Sequence, residues 1–319
     1  MASALAAVID CCDEYRGRLP QLAGTRCITD GGMETTLIFH RGLDLPLFAS
    51  FGLLAGEDGT RELREYFAPY VTIARQHGVG MVLDTPTWRA SSDWGDRLGH
   101  SSEQLDELNR KGVALLEDIR ADKETERTPV VICGCIGPRG DGYAPSELMT
   151  ADQAEEYHSA QVNTFRDTAA DLIGALTMTY ADEAIGIVRA AQAAGMPVAV
   201  SFTVETDGRL PSGQPLRQAI EQVDAATEGA AAYFMINCAH PTHFSDVLDE
   251  GGPWLGRIRG IRANASTKNH AELDEGNPSE LGAQYRELVA RLPALSVLGG
   301  CCGNDHRHIE EICTSCSTM

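Results

Sequence analysis

Eight short apolar runs alternate with longer segments of helical periodicity, and this alternation restricts the fold more than any other feature of the chain. The runs have the length and composition of β-strands, and several follow a Gly or Pro that would end a preceding helix. They cover residues 26–30, 81–87, 130–136, 171–177, 197–204, 232–238, 258–264 and 295–300. Between them, apolar residues at i, i+3 and i+4 predict helices, most clearly at 63–75, 105–119, 151–171, 183–194 and 281–292.

Strands that are connected through helices pair in parallel, because a parallel connection needs a crossover. Eight is also the number of parallel strands that closes a barrel filled by its own side chains. The sequence therefore predicts an α/β fold of the (β/α)8 TIM-barrel type, with residues 1–319 as a single domain. A doubly wound sheet is the alternative, and it is disfavoured because no G-x-G-x-x-G motif follows a strand.

Composition and charge exclude several classes of function. The formal net charge of −20 would repel a phosphate backbone, so we expect no nucleic-acid partner. No apolar run reaches the ~20 residues that cross a bilayer, so we expect no membrane partner. The N-terminus lacks a basic signal-peptide region, which predicts a cytoplasmic protein. In that reducing compartment the ten cysteines would bind metal or react rather than form disulfides.

Three cysteines follow predicted strands that lie close together in a closed barrel. Cys238 ends the sixth strand, and Cys301 and Cys302 follow the eighth, framed by glycines that allow both to turn toward one point. Active sites of such barrels form at the carboxyl ends of the strands. Three thiolates suit Zn²⁺ and leave its fourth tetrahedral position open for a substrate, so all three are predicted metal ligands and catalytic residues.

Three other interpretations of these cysteines remain open. They could pack as small hydrophobic residues. They could hold a structural or stored zinc in a protein that is not an enzyme, with His240 or His243 as fourth ligand. The third interpretation is a barrel hydrolase that uses zinc-bound water, but such sites favour histidine and carboxylate ligands.

Several motifs together carry a resemblance to a known family. They are DGGMET at 30–35, GPRGDGY at 137–143, the Asn-Cys pair at 237–238, GGCCG at 299–303 and DHRHIEEI at 305–312. In these motifs the chain resembles the zinc-dependent homocysteine S-methyltransferases, a family that includes betaine and S-methylmethionine methyltransferases. The similarity spans nearly the whole chain, and GGCCG with an upstream Asn-Cys is its most specific part.

The resemblance implies a cofactor, two small-molecule partners and a reaction. Zn²⁺ would bind a small thiol as its thiolate, and homocysteine is the leading acceptor, giving methionine. The methyl donor would be a sulfonium or quaternary ammonium compound: S-methylmethionine, S-adenosylmethionine or a betaine-like molecule. A different small thiol, or a separate corrinoid protein as methyl partner, is the alternative, and the oligomeric state stays open.

The resemblance also implies substrate contacts. Asp30, Gly31 and Gly32 would hold the amino-acid end of the thiol, with Asp30 near its ammonium. The remaining implied contacts are Thr85, Trp88 and Asn237, and the Trp88 ring could receive a cationic methyl donor by cation–π attraction.

Two positions depart from the family pattern. Leu176 stands where relatives carry an acidic residue at the end of the fourth strand, and Met235 stands where they carry glycine. Both departures bear on which thiol is the acceptor, and neither is a predicted metal ligand.

Overall fold

The computed structural model describes residues 14–143, 148–268 and 274–316, and these residues form a closed parallel barrel. Each strand pairs with the next in sequence, and β1 pairs with β8 to close the sheet. The predicted fold class is therefore confirmed. The strands are β1 Cys27–Ile28, β2 Gly80–Asp84, β3 Val130–Ile136, β4 Leu172–Met178, β5 Val198–Phe202, β6 Tyr233–Asn237, β7 Ile258–Ala263 and β8 Val297–Gly300.

Helices connect the strands on the outside of the barrel. They are α1 Met33–Thr35, α2 Glu57–His77, α3 Ser92–Leu98, α4 Ser102–Lys123, α5 Ala151–Arg166, α6 Ala181–Ala193, α7 Leu216–Ala226, α8 Pro241–Leu248, α9 Pro278–Arg291 and α10 His306–Cys316. Capping boxes at Ser101 and Thr150 satisfy the first backbone N–H groups of α4 and α5. Within the described ranges, no helix combines the length and apolar character that crossing a membrane requires.

All eight predicted strands exist, and the differences lie at their ends. The second strand stops at Asp84 rather than at residue 87. Pro86 explains this, because proline has no backbone N–H to continue the ladder. The predicted helix 151–171 likewise ends at Arg166, since a short turn precedes β4.

The strands face two different apolar layers. One face packs against the surrounding helices, and the other fills the barrel interior. The interior layer includes Val82, Val131, Cys133, Cys135, Leu172, Leu176, Tyr233, Met235 and Val297. Cys133 and Cys135 are two residues apart in β3, and both side chains pack in this interior layer, as expected for residues on the same face of a strand.

Met235 fits inside the barrel because β7 provides a glycine opposite it. A Cβ atom at Gly260 would lie 2.5 Å from the Cγ and Sδ atoms of Met235. The residue therefore occupies interior space below the strand ends, and the cavity described below is lined by other residues.

We expect Gly134→Ala to destabilise the fold by about 1–3 kcal/mol, because overpacking a filled core strains it. A Cβ atom at Gly134 in β3 would lie 2.6 Å from the ring of buried Phe165 in α5. Urea unfolding of both proteins measures the difference. Gly256→Ala is the matched control, since a Cβ there meets nothing within 4 Å. Equal free energies of unfolding for wild type and Gly134→Ala would contradict the packing described here.

Candidate active site

The three predicted cysteines meet above the barrel. The Sγ atoms of Cys238, Cys301 and Cys302 all lie within 4.8 Å of one another, and those of Cys238 and Cys302 are 3.7 Å apart. Cys238 directly follows β6, while Cys301 and Cys302 directly follow β8. Only β7 separates these strands in the closed sheet, so distant parts of the chain deliver sulfur atoms to one point.

Unusual backbone geometry aims the sulfur atoms. Cys238 has a φ of 54°, a left-handed conformation that costs a non-glycine residue about 1–3 kcal/mol. Its carbonyl oxygen accepts hydrogen bonds from Asn264 Nδ2 at 3.0 Å and Thr203 Oγ1 at 3.4 Å, which hold this conformation. On the other side, Gly303 has a φ of 78° and completes the turn after Cys302.

The chemistry of the three thiols fits a cation. Hydrogen bonds from the other two cysteines lower the pKa of Cys301 well below its usual value, and Arg262 contributes. Hydrogen bonds with Cys238 and Cys301 raise the pKa of Cys302 well above its usual value. One thiolate is thus stabilised by two neighbouring thiols. Three thiolates this close repel one another, so full ionisation of the cluster needs a bound metal ion.

Neither histidine near the cluster belongs to it. In the described part of the chain, the group of metal-binding atoms consists of the three cysteines alone. His240 Nδ1 pairs with Thr242 Oγ1 at 2.8 Å, where it caps α8, and His243 Nε2 donates to Thr267 O at 2.9 Å. This arrangement disfavours a closed structural site with a histidine as fourth ligand.

Tyr143 covers the cluster, and sequence analysis did not single it out. Its hydroxyl lies 3.1 Å from Cys238 Sγ and 3.8 Å from Cys302 Sγ. It ends the GPRGDGY segment at 137–143, which follows β3 and is one of the motifs that carry the family resemblance. A loop has no periodicity that would show which side chain reaches the site.

A buried glutamate that contacts a buried histidine anchors this loop. The backbone N–H of Arg139 donates to Glu183 Oε1 at 2.7 Å, and His158 Nε2 lies 3.0 Å from the same oxygen. Glu183 and His158 are both almost fully buried, in α6 and α5. The start of the loop is therefore fixed to the barrel wall.

The cluster opens into a cavity of about 440 Å³ at the carboxyl ends of the strands. Its floor holds three buried charged residues: Asp30 after β1, Asp84 at the end of β2 and Arg262 in β7. Arg262 in β7 donates through Nη2 to Asp30 Oδ1 at 2.5 Å and through Nη1 to Asp84 Oδ2. Its Nε lies 3.3 Å from the carbonyl oxygen of Gly300, just before Cys301.

Asp30, the predicted ammonium partner, has both oxygens engaged. Oδ1 pairs with Arg262, and Oδ2 accepts a hydrogen bond from Tyr66 at 2.9 Å. Burial raises the pKa of Asp30 to about 7, against the lowering effect of Arg262, and repulsion from Asp84 adds to the rise. The carboxylate still lines the cavity, so a ligand there meets a paired acid rather than an isolated one.

Gly31 and Gly32 allow the turn after β1 to lie against the loop after β8 that carries Cys301 and Cys302. A Cβ at Gly31 would lie 2.5 Å from the carbonyl oxygen of Asn304, and one at Gly32 would lie 2.7 Å from that of Cys301. The Gly32 N–H donates to Asn304 O at 2.9 Å. Both glycines line the cavity, and any larger side chain at either position would displace the loop that carries Cys301 and Cys302.

The other predicted contacts also line the cavity, and some of their polar atoms are already hydrogen-bonded within the protein. Thr85 Oγ1 accepts from the backbone N–H of Cys135 at 2.9 Å. Trp88 Nε1 donates to the Leu176 carbonyl oxygen at 3.2 Å, and the Arg89 guanidinium lies 4.9 Å from the Trp88 ring centroid. Asn237 Oδ1 accepts from Thr177 N at 3.0 Å and Ser201 Oγ at 2.6 Å.

Leu176, the first departure from the family pattern, contributes an apolar side chain to the cavity wall. Two further charged residues at the cavity also escaped sequence analysis as contacts. Glu34 accepts from Ser50 Oγ at 2.8 Å, and Arg89 lies over the Trp94 ring at 4.0 Å and donates to Leu47 O. Charges therefore come from several strand ends, not from the first strand alone.

Fold and site together define a class: a parallel eight-stranded barrel with three cysteines at the mouth of a polar cavity, suited to a thiophilic metal ion. The sequence profile of the homocysteine S-methyltransferase family matches residues 27–316. The chain therefore belongs to that family and is a methyltransferase, which confirms the resemblance.

Solved structures show the same fold. The oxidised form of the homocysteine methyltransferase MmuM from Escherichia coli has a TM-score of 0.72 and 20% identity, covering 90% of this chain and 94% of that one. The metallated form has a TM-score of 0.71 and 19% identity, covering 92% and 97%. A comparison with curated protein sequences finds no significant match.

We expect the cysteines to differ sharply in reactivity once a chelator has been applied. Only thiolates react rapidly with iodoacetamide. Because the pKa of Cys301 is lowered and that of Cys302 is raised, Cys301 should be labelled first at pH 6. Buried Cys27 and Cys133 should stay unlabelled and serve as internal controls. Peptide mass spectrometry reads the order, and faster labelling of Cys302 would refute this assignment of the thiolate.

Proposed function

We propose that this protein is a zinc-dependent S-methyltransferase that moves a methyl group from a sulfonium or quaternary ammonium donor to a zinc-bound thiolate. Homocysteine, which would become methionine, is the proposed acceptor. The observation that carries the proposal is the convergence of three sulfur atoms within 4.8 Å at the mouth of the cavity. The family match and the metallated form of MmuM support it.

Cys238, Cys301 and Cys302 would hold the zinc ion. Three protein ligands are typical of catalytic zinc, which keeps a position for substrate, whereas structural zinc usually has four. When bound, zinc supplies one function, which is to keep the acceptor sulfur deprotonated at neutral pH.

The chain's own residues would position the reactants. The Tyr143 hydroxyl lies 3.1 Å from Cys238 Sγ, where it would donate a hydrogen bond to a thiolate. Asn237 holds the end of β4 through Thr177, and its Nδ2 lies 4.0 Å from Cys301 Sγ. A one-step methyl displacement needs no general base, so aligning donor and acceptor is the main task of the site.

The proposed acceptor contacts are Asp30, Gly31, Gly32 and Thr85, which line the cavity beside the cysteines. Trp88 is the proposed contact of the cationic donor. Its ring is partly exposed, and Arg89 lies near one face, which leaves donor binding to the rest of the ring surface.

Incubation with homocysteine and a panel of methyl donors tests the function directly. The panel contains S-methylmethionine, S-adenosylmethionine, betaine and a methylated corrinoid protein. We expect zinc-loaded protein to form methionine with at least one donor, detected by mass. The Cys301→Ala, Cys302→Ala double variant is the control for uncatalysed transfer. Methylation of other small thiols but not homocysteine would move the proposal to the alternative acceptor class.

The purified protein should carry about one zinc ion per chain, since three thiolates form one site. Changing Cys238, Cys301 or Cys302 to Ala should remove most of the zinc and all activity. Elemental analysis measures the metal. Cys313→Ala with Cys316→Ala is the matched control, because both side chains pack in α10 away from the cluster. Full zinc retention in the Cys301→Ala, Cys302→Ala variant would refute the site.

Adding the acceptor should place its sulfur on the metal. Zinc X-ray absorption should then change from three sulfur neighbours to four when homocysteine is added without a donor. Serine, which lacks a thiol, should leave the spectrum unchanged and is the control. A spectrum that homocysteine does not alter would indicate a structural or stored zinc instead.

A further inference from the structure

Two arginines line the cavity, and they differ in their surroundings. Arg262 is buried at the floor, where it pairs with two carboxyl groups. Arg89 is only partly buried and belongs to the rim, which is formed by the exposed residues Leu47 and Phe48 together with Trp88 and Arg89. Among the described residues, Arg89 forms no ion pair, and its hydrogen-bond partner is the uncharged carbonyl oxygen of Leu47. The rim therefore carries a guanidinium to which no described carboxylate is bound.

Two tryptophan rings hold the Arg89 guanidinium in place. Its central carbon lies 4.0 Å from the Trp94 ring centroid and 4.9 Å from the Trp88 ring centroid. Nη1 donates to the Leu47 carbonyl oxygen, whereas Nε is buried without a hydrogen-bond partner among the described residues. An unpartnered buried N–H is costly, which indicates a ligand group at the edge formed by Nε and Nη2. That edge of a guanidinium matches a carboxylate in bidentate geometry.

The surroundings of Arg89 compensate its charge only in part. Burial lowers the pKa of Arg89, although the nearby acids Asp141 and Glu34 act in the opposite direction. Glu34 is hydrogen-bonded to Ser50, and burial raises the pKa of its own carboxyl group. Asp141 is exposed, and its Oδ1 accepts a hydrogen bond from the Tyr143 N–H at 2.9 Å. Neither acid forms an ion pair with the guanidinium, so an anionic group of a ligand would stabilise it.

We propose that Arg89 is a specificity-determining residue that binds a carboxylate on the methyl donor. The donor is then a zwitterion, whose methyl-bearing cation faces the sulfur cluster while its carboxylate meets Arg89 at the rim. This inference rests on the proposed function, because it concerns the molecule that delivers the methyl group.

A series of contacts connects the rim to the sulfur cluster. The Arg89 guanidinium lies over Trp88, the proposed contact of the donor's cation. Trp88 packs against the loop after β3, where a Cβ atom at Gly142 would lie 3.2 Å from its ring. The next residue, Tyr143, has its hydroxyl 3.1 Å from Cys238 Sγ. A small donor beside Trp88 would therefore extend from the cluster to Arg89.

The geometry of methyl transfer explains why the carboxylate belongs to the donor. In a one-step displacement, the attacking sulfur, the methyl carbon and the leaving atom align, so the donor lies on the far side of the methyl group from the cluster. The rest of the donor then points away from the sulfur atoms and toward the rim. Thiolates attract the donor's cation and Arg89 attracts its carboxylate, so the two ends together favour one orientation.

Two pairs of cationic compounds isolate the contribution of the carboxylate. Betaine and choline share a trimethylammonium group, and choline has CH2OH in place of the carboxylate. Dimethylsulfoniopropionate and (3-hydroxypropyl)dimethylsulfonium differ in the same way. The measured quantity is the ratio of affinities within each pair, from calorimetric titration of the zinc-loaded protein. Because no acceptor thiol is present in this titration, the ratio reports donor binding and does not depend on methyl transfer.

We expect wild type to prefer the carboxylate compound in at least one pair. Arg89→Gln should lower that ratio by about tenfold to a hundredfold, the size of a charge-assisted hydrogen bond. Arg89→Lys keeps the charge without the planar fork, so it should restore part of the ratio.

The matched control is Arg97→Gln. Arg97 also lies over the Trp94 ring, at 4.7 Å from its centroid, but it does not line the cavity. It should leave the ratio unchanged. Zinc content and the binding of homocysteine should stay the same in all three variants, because none of them changes a cysteine or a proposed acceptor contact.

Three results would overturn the proposal: no preference of wild type for either carboxylate compound, an unchanged ratio in Arg89→Gln, or a loss of homocysteine binding in that variant, which would assign Arg89 to the acceptor. A guanidinium that only supports the rim would weaken both compounds of a pair equally and leave the ratio constant. Failure of the proposed function would look different. The carboxylate compounds would then bind through Arg89, and no donor would methylate a thiol.

Discussion

Closure of the parallel barrel is the constraint on which the site depends. In an open sheet the ends of the first and last strands would lie far apart. Here β1 pairs with β8, so the turn that follows Asp30 packs against the loop that carries Cys301 and Cys302. The Gly32 N–H bonds to Asn304 directly across this seam. Hydrogen bonding along the sheet thus sets the distance between the cavity floor and the sulfur cluster.

The site also concentrates backbone strain. Thr177 near the end of β4 and Cys238 after β6 have φ values of 63° and 54°, and Asn237 is bonded to the one and precedes the other in the chain. Asn237 accepts from the Thr177 N–H and donates to the Thr177 hydroxyl, while Asn264 and Thr203 hold the Cys238 carbonyl. A β-branched residue in this region is rare and needs such support. The hydrogen bonds therefore offset the strain and keep the Cys238 sulfur aimed at its partners.

The amino-acid sequence was sufficient to predict the barrel and the three clustered cysteines, and insufficient to predict how the charged residues around them pair. The strands are recognisable as short apolar runs because both of their faces are buried, and the glycines around Cys301 and Cys302 mark those cysteines in the sequence. The sequence indicates the position of Arg262 less clearly. Since Ile261 and Ala263 pack toward the helices, alternation along β7 places the Arg262 side chain inside the barrel. Only the register of the sheet shows which residues it can pair with there. Its two acids lie far away in sequence, and Tyr143 lies in a loop without periodicity.

Charge balance joins the two halves of the cavity. In the proposed enzyme, Cys238, Cys301 and Cys302 would hold Zn²⁺ as three thiolates with a formal charge of −1, and beside them Asp30 and Asp84 share the single guanidinium of Arg262. Both parts of the cavity would therefore favour approach of a cationic methyl donor. Without Arg262 the two buried carboxyl groups would lie near each other with no counter-charge, which would raise the pKa of Asp30 still further above its usual value. The guanidinium thus limits the negative charge of the cavity lining that the acids of two strand ends would otherwise create.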